Sequence, residues 1–405
     1  MSAATTNDTT ELPVLPGERS ARCPFNPPAE YAQWREEEGL RRVNWNGHTV
    51  WAVNRYEDIK TAMTDPRISA EVLGILQGHG NHEGPNAPET FPRMDDPEHA
   101  RLRRMLTKDF TVKRINAMRP QIEDMANDFI DKMIAKGQPA DLVTDYALPI
   151  PSLVISLLLG VPYADHEFFQ TISATLMKVT VSREEKAKAS REFFGYLMEL
   201  VARKEKEPGD DLISRLIREH VQTGELSRET AAMNGQILLF AGHETTANMI
   251  ALGTAALLEN PDAAATVRDT DDESVIANAV EELLRYLTVV HSLVARVAKE
   301  DVEIGGQLVR AGEGLIMNLP AGNWDPTFTD RPEILDLDRP ARGHIAFGYG
   351  VHQCIGQTLA RAELQIALPL LLRRLPGLKL AVPLEDLRFR SDMSIYGVHE
   401  LPVTW

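Results

Sequence analysis

Thiols are scarce in this chain: Cys23 and Cys354 are the only two in 405 residues. One bridge cannot frame a chain of that length, so a disulfide-stapled secreted scaffold is excluded and a reducing cytoplasm is expected. Positive charge is also short. Lys and Arg number 43 against 59 Asp and Glu, a net charge of −16, which argues against general nucleic-acid binding. A clean membrane span is missing. Residues 148–161 are apolar but short and broken by Pro149 and Pro151, and residues 237–258 carry His243 and Glu244 at their middle. Residues 1–16 have neither a basic start nor an apolar core, so they are expected to be a loose tail and not a signal peptide. No repeat or linker divides the rest. Residues 17–405 read as one soluble domain, with 43% apolar residues to build its core.

Most of what is present has helical periodicity. Helices are expected over residues 101–110, 115–136, 153–159, 192–204, 212–220, 228–258, 272–286 and 355–375, punctuated by Pro149, Pro162, Pro208 and Pro261. Short strand signals occur at 49–53, 303–304 and 308–309, the last two flanking the hairpin dipeptide Gly305-Gly306. The fold class is therefore mainly α with small β sheets. Residues 71–93 are rich in Gly, Pro, Asn and His and are expected to form a functional loop.

The most informative stretch is Phe347-Gly348-Tyr349-Gly350-Val351-His352-Gln353-Cys354-Ile355-Gly356. It sets one cysteine after a glycine-punctuated turn and just before a helix. Unpaired N–H groups and the helix dipole there favour a thiolate. The glycines permit close approach of a flat ligand. Such a thiolate can be the axial ligand of a haem iron. The plain alternatives are a buried structural cysteine and a protease nucleophile, which needs a His and an orienting partner. His352 is two residues away, but no protease signature surrounds it.

A second cluster is Ala241-Gly242-His243-Glu244-Thr245-Thr246, inside the longest helix candidate. Gly242 costs that helix about 1 kcal/mol. A Thr245 hydroxyl bonded to the carbonyl of Ala241 would bend it and open a groove beside the acid Glu244. The plain alternative is a polar seam between packed helices.

The cysteine loop resembles the haem-binding signature of the cytochrome P-450 family, F-G-x-G-x-H-x-C-x-G, and the second cluster resembles the family's distal-helix motif, A-G-x-E/D-T. The resemblance runs from about Val53 to Trp405 and is nearest to soluble actinobacterial, Streptomyces-type members. It implies the cytochrome P-450 fold, a mostly α triangular prism with haem b between the long helix and the cysteine loop. It implies that Cys354 is the axial haem-iron ligand. Ala241, Gly242, Phe347, Gly348 and Gly356 would line the haem, Thr245 would steady dioxygen, and Glu244 would relay protons.

Further positions follow the family's order. Glu282 and Arg285 match its E-x-x-R pair and Arg339 its third partner, a structural ion-pair network. His99 and Arg103 resemble its H-x-x-x-R motif, and with Arg296 and His352 they would meet the haem propionates. One departure is visible in Gly322-Asn323-Trp324-Asp325, where such members often carry Arg at the position of Trp324, which puts a local ion pair in doubt.

The implied activity is a monooxygenase reaction, hydroxylation or epoxidation of a hydrophobic natural product, steroid-like or xenobiotic compound. O2 is the co-substrate, and NAD(P)H supplies electrons through a ferredoxin reductase and a ferredoxin. The basic run Arg101, Arg104, Lys108, Lys113 and Arg114 is expected to dock the ferredoxin, with a solvated helix face as the bland alternative. No nucleic acid or membrane partner is expected, and the protein is expected to be a cytoplasmic monomer. The substrate wall is expected in residues 71–93, 168–181, 237–246, 289–294 and 393–398, with Leu76, Phe169, Leu176, Val289, Val290, Leu293 and Ile395 as its apolar members. His82, His291 and Tyr396 would add polar contacts. The alternatives are an NAD(P)H-driven nitric-oxide reductase, disfavoured by the acid Glu244, and a non-catalytic haem sensor.

Overall fold

A computed structural model describes residues 12–72, 90–177, 181–391 and 393–405. Its organising element is the helix Arg228–Leu258, which runs over the range expected from periodicity. Ser227 caps it by accepting a hydrogen bond from the Thr230 N–H. The helix is buried nearly all round, so it is the axis on which other helices pack. Pro149–Leu159, Arg183–Lys206 and Gln357–Arg374 all pack against it. Val112–Lys136 packs on Gln357–Arg374 in turn.

Several helices begin earlier than periodicity suggested, and their caps explain why. Pro149 and Pro151 open the helix Pro149–Leu159 instead of breaking it, because first-turn N–H groups have no helical partner to lose. Gly160, at φ +77, ends it. Ser182 and Glu185 form a reciprocal capping box that starts Arg183–Lys206 nine residues before the expected position 192. The expected helix 212–220 is a short helix, Leu212–Leu216, followed by a wider turn, Ile217–Val221. Five helices that carried no clear signal are also present among the described residues: Glu30–Glu36, Tyr56–Thr64, His166–Met177, Pro261–Asp269 and Leu319–Asn323.

A five-stranded sheet sits at one edge, in the order Arg41–Trp45, His48–Val53, Gly314–Met317, Ala295–Ala298, Ile68–Ser69. His48–Val53 and Gly314–Met317 are parallel, and the other neighbours are antiparallel. The expected hairpin joins Val302–Ile304 to Gln307–Val309. Gly305 and Gly306 take φ +57 and +80, as a two-residue primed turn needs.

Against the expected loose tail, the chain is anchored at Pro13 and Leu15. Residues 1–11 lie outside the described residues, but Leu15 is 1% exposed and its N–H bonds the Asn44 carbonyl at 2.9 Å. Its burial with Tyr31 and Trp34 fixes the chain from Pro13 onward. Among the described residues no helix is long and apolar enough to cross a membrane.

The helix Glu273–Leu287 anchors the segment leading to the cysteine loop. Arg285 Nε and Nη2 bond Glu282 at 2.7 and 2.8 Å, and both side chains are fully buried. Arg285 also donates to the carbonyls of Asn323 and Pro332 at 3.2 and 3.0 Å, and Arg339 Nε reaches Glu282 at 3.2 Å. A pair that would be worth a few tenths of a kcal/mol on a solvated helix is here an internal strut. Trp324 replaces its expected ion pair with packing: its indole N–H bonds the Tyr286 carbonyl at 2.9 Å and its ring stacks on Tyr286. Asp325 finds the Tyr56 N–H instead, at 2.9 Å.

Candidate active site

A cavity of about 360 Å³ lies between the Arg228–Leu258 helix and the cysteine loop. The loop folds back on itself, with Cys354 N–H bonded to the Phe347 carbonyl at 2.9 Å and Gly348 N–H to the Ile345 carbonyl at 2.8 Å. Gly348 and Gly350 both have φ +71. A Cβ on Gly350 would also sit 2.9 Å from the Met63 carbonyl oxygen, so glycine is required twice over. The helix begins at Gln357, two residues later than expected, and Gly356 is its N-cap.

Cys354 has open surface, yet it is surrounded by protein, because that surface faces the cavity rather than bulk water. Burial pushes its thiol up. The N–H groups of Gly356 and Gln357 and the Arg103 and Arg361 cations oppose that shift without cancelling it. The helix terminus thus acts in the expected direction, but desolvation outweighs it.

Basic side chains gather at one rim. Arg103, Arg296 and His352 line the cavity, and the His99 ring packs against His352 at a tilt of 39°, with centroids 4.0 Å apart. Arg103 Nη2 donates to the Gln353 carbonyl at 2.6 Å and Arg296 Nη1 to the Ala295 carbonyl at 2.7 Å. Neither arginine has an ion-pair partner among the described residues. Asp96 holds His99 Nδ1 at 3.0 Å, while His99 Nε2 and His352 Nδ1 are buried without a hydrogen-bond partner among the described residues. Burial, then the Arg296 and His99 charges, push His352 down to about 3. Burial holds Arg296 at about 10. A flat group carrying two carboxylates fits this rim: it would take the unpaired donors and offset the crowded cations. The haem implied by the sequence is such a group, and Cys354, which lines the same cavity, would supply a ligand to its metal.

The long helix forms the opposite wall. Thr245 Oγ1 donates to the Ala241 carbonyl at 2.8 Å, as expected. Ala241 is exposed in the middle of a buried helix because it faces the cavity. Gly242 has a packing reason that the sequence did not show. A Cβ there would meet Ile155 Cγ1 at 2.8 Å.

Glu244 departs from expectation. It is 3% exposed, does not line the cavity, and pairs with Arg390 Nη1 at 2.9 Å. His243 Nε2 lies 3.7 Å from its other oxygen, and Asn248 Nδ2 bonds its backbone carbonyl at 2.7 Å. Gly397 leaves room for Asn248, whose Oδ1 would lie 1.7 Å from a Cβ at 397.

The remaining walls are mostly apolar. Val289, Val290 and Leu293 line the cavity as expected. Phe169 does not: it is core, packed among Phe168, Phe193 and Tyr196. Leu176 packs against the core instead of the cavity, and Ile395 is fully buried in a bridge to Val290. Leu76 and His82 lie outside the described residues. His291 and Tyr396 also turn away, bonding the Met393 and Pro24 carbonyls at 2.9 and 2.8 Å. Residues missed from sequence include Ile155, Met249, Leu284, Leu319 and Glu363. Only Glu363 carried a signal, as an acid within the apolar face of its helix.

The basic run is mostly occupied. Lys108 pairs with Glu219 at 2.7 Å, Arg114 with Asp210 at 3.4 Å, and Arg101 donates to the Glu225 carbonyl at 3.3 Å. Arg104 and Lys113 are exposed, with no ion pair among the described residues.

The Cytochrome P450 family profile matches residues 29–376. The chain is 49% identical to Cytochrome P450-SU2 of Streptomyces griseolus over 397 residues, 97% of each chain. It is 44% identical to Vitamin D3 dihydroxylase of Streptomyces griseolus, covering 99% of each. Among solved structures it matches mycinamicin VIII C21 methyl hydroxylase MycCI of Micromonospora griseorubida, bound to mycinamicin VIII. That match has a TM-score of 0.90 and 37% identity, over 97% of this chain and 100% of that one.

Proposed function

The chain belongs to the cytochrome P450 family, and from that premise we propose how its residues divide the work. It is a monooxygenase: one atom of dioxygen enters an organic substrate and the other leaves as water, at the expense of two NAD(P)H electrons. Haem b, when bound, supplies the dioxygen chemistry. The observation that carries the assignment of roles is the cavity itself, with a thiol and unpaired cationic donors on one side and apolar walls on the other.

Cys354 would hold the haem iron through its sulfur. A metal's charge favours the thiolate, which would overcome the upward push of burial. The N–H groups of Gly356 and Gln357 then offset the sulfur charge. His99, Arg103, Arg296 and His352 hold the propionates, and Ala241, Gly242, Phe347, Gly348 and Gly356 leave room for the flat ring. Thr245 orients dioxygen, with its own proton tied to the Ala241 carbonyl. Glu244 passes protons inward from behind the helix, which requires it to release Arg390.

The substrate is a hydrophobic natural product or steroid-like molecule. The apolar contacts of Val289, Val290, Leu293, Ile237 and Leu238 support that reading. So does the range of its relatives, one named for vitamin D3 and one crystallised with mycinamicin VIII. Electrons arrive through a ferredoxin that docks over Arg104 and Lys113, and the protein works as a cytoplasmic monomer. No feature of the site favours nitric-oxide reduction or sensing. Titrating the holoprotein with vitamin D3 and with mycinamicin VIII tests the pocket. A saturable shift of the Soret band toward the high-spin position is expected for at least one. The absence of a shift with both would count against the substrate class.

A further inference from the structure

Glu281 and Glu282 adjoin on the helix Glu273–Leu287, and both are buried. Glu282 holds Arg285 and Arg339. Glu281 has no part in that strut. Its two oxygens take Arg361 Nε and Nη2 at 2.5 and 2.9 Å, a two-pronged pair. His344 Nε2 lies 3.2 Å from the second oxygen. The Ala346 N–H donates to His344 Nδ1 at 3.2 Å, so the ring proton sits on Nε2 and points to Glu281. Burial would raise the Glu281 carboxyl, but these bonds hold it at about 2, so it is an anion.

The cationic end of this pair reaches the cysteine loop. The Arg361 guanidinium carbon stands 4.6 Å from the centre of the Phe347 ring, and the His344 ring packs on the same residue with centroids 5.9 Å apart. The Phe347 carbonyl in turn accepts the Cys354 N–H at 2.9 Å. Arg361 Nη1 also donates to Gln357 Oε1 at 2.9 Å, and the Gln357 backbone N–H faces the sulfur. The charges that weigh most on Cys354 are Arg103 and Arg361, and Glu281 is not one of them. The pair is therefore a fixed dipole with its cation toward the sulfur. Neither Arg361 nor Glu281 lines the cavity.

We propose that Arg361, clamped by Glu281, is a positioning residue for electron uptake: its charge behind the cysteine loop sets how readily the haem site accepts an electron. This rests on Cys354 as the iron ligand. One electron from the reduced ferredoxin takes the iron from ferric to ferrous. No bond forms or breaks, and the site loses one unit of positive charge. A cation held behind the sulfur favours that change, and an anion there opposes it. Glu281 keeps Arg361 in place and offsets part of its charge.

The test is the midpoint potential of substrate-free holoprotein and three variants. Arg361→Met removes the cation and leaves the anion, so the potential should fall. Glu281→Gln removes the anion and leaves the cation, so the potential should rise. Each shift should be at least roughly threefold in the reduction equilibrium, about 30 mV for one electron. Arg361→Lys keeps the charge and should shift less than Arg361→Met. A clamp that only stiffens the loop predicts one sign for both losses, because both loosen the same segment. Any result other than opposite signs overturns the proposal, as does an Arg361→Lys shift as large as that of Arg361→Met. Should Arg361→Met fail to fold, Glu281→Gln decides alone, and a fall or an unchanged potential overturns the proposal. The spectrum of the reduced, carbon-monoxide-treated native protein separates this failure from that of its premise. A thiolate-type band beside such potentials sinks the role of Arg361 alone, whereas an imidazole-type band sinks the premise as well.

Discussion

Replacing Gly242 with alanine asks why a glycine stands in the middle of a 31-residue helix. Helix propensity alone predicts a gain of about 1 kcal/mol. The neighbouring helix predicts the opposite. A Cβ at 242 would lie 2.8 Å from Ile155 Cγ1 and 3.0 Å from its Cδ1. Ile155 is 2% exposed and its branch point sits on a packed helix, so it cannot swing aside without moving others. Overpacking of this kind costs about 1–3 kcal/mol. The clash therefore wins, and Gly242→Ala should lose up to about 2 kcal/mol net once the propensity gain is subtracted. Urea unfolding of the holoprotein, followed by far-ultraviolet circular dichroism, measures it. Ile155→Ala alone should cost about 2–5 kcal/mol. In the double variant the new methyl occupies vacated space, so the two changes should be less harmful together by about 1 kcal/mol or more. A full kcal/mol of stabilisation in Gly242→Ala, with no coupling to Ile155, would refute the packing argument.

Other outcomes follow from the same geometry. Arg285→Ala leaves Glu282 buried beside Arg339 alone and should cost about 3–5 kcal/mol, read as a drop in urea midpoint and in haem content. Burial would raise Glu281, but hydrogen bonds from His344 and Arg361 outweigh it and hold the carboxyl at about 2. Its folded value is depressed, so its stabilisation is present above the ordinary carboxyl range near 4.5 and is lost as pH falls toward 2. Glu281→Gln should flatten that acid limb in unfolding measured from pH 5 to 2. An unchanged limb would show that other carboxylates set it. Arg104→Glu should slow reduction by ferredoxin and weaken its salt dependence in stopped-flow, whereas Lys108→Glu should do less, because Lys108 is already paired with Glu219. Equal effects would place the docking surface elsewhere.

The parts legible in the sequence were local ones. The cysteine loop reads out because its glycines, His352 and Cys354 act within ten residues of one another. The Arg228–Leu258 helix reads out because Ser227 caps a long run without proline. What was not legible depended on distant partners. Glu244 and Thr245 adjoin in sequence, yet successive helical residues point about 100° apart, and Glu244 turns to Arg390, 146 residues further along the chain. The strands Ala295–Ala298 and Gly314–Met317 are buried at every position, so no alternation marks them. The family resemblance nominated Phe169 for the cavity wall but could not say that its partners would be Phe193 and Tyr196.

Thiolate ligation by Cys354 is the claim on which the rest depends. The direct measurement is the visible spectrum of the dithionite-reduced, carbon-monoxide-treated holoprotein, beside that of Cys354→Ser. The account predicts the long-wavelength Soret band of a thiolate-bound haem in the native protein and its loss in the variant, with haem still held by the Arg103, Arg296 and His352 rim. An imidazole-type band in the native protein, or a long-wavelength band that survives Cys354→Ser, would contradict it.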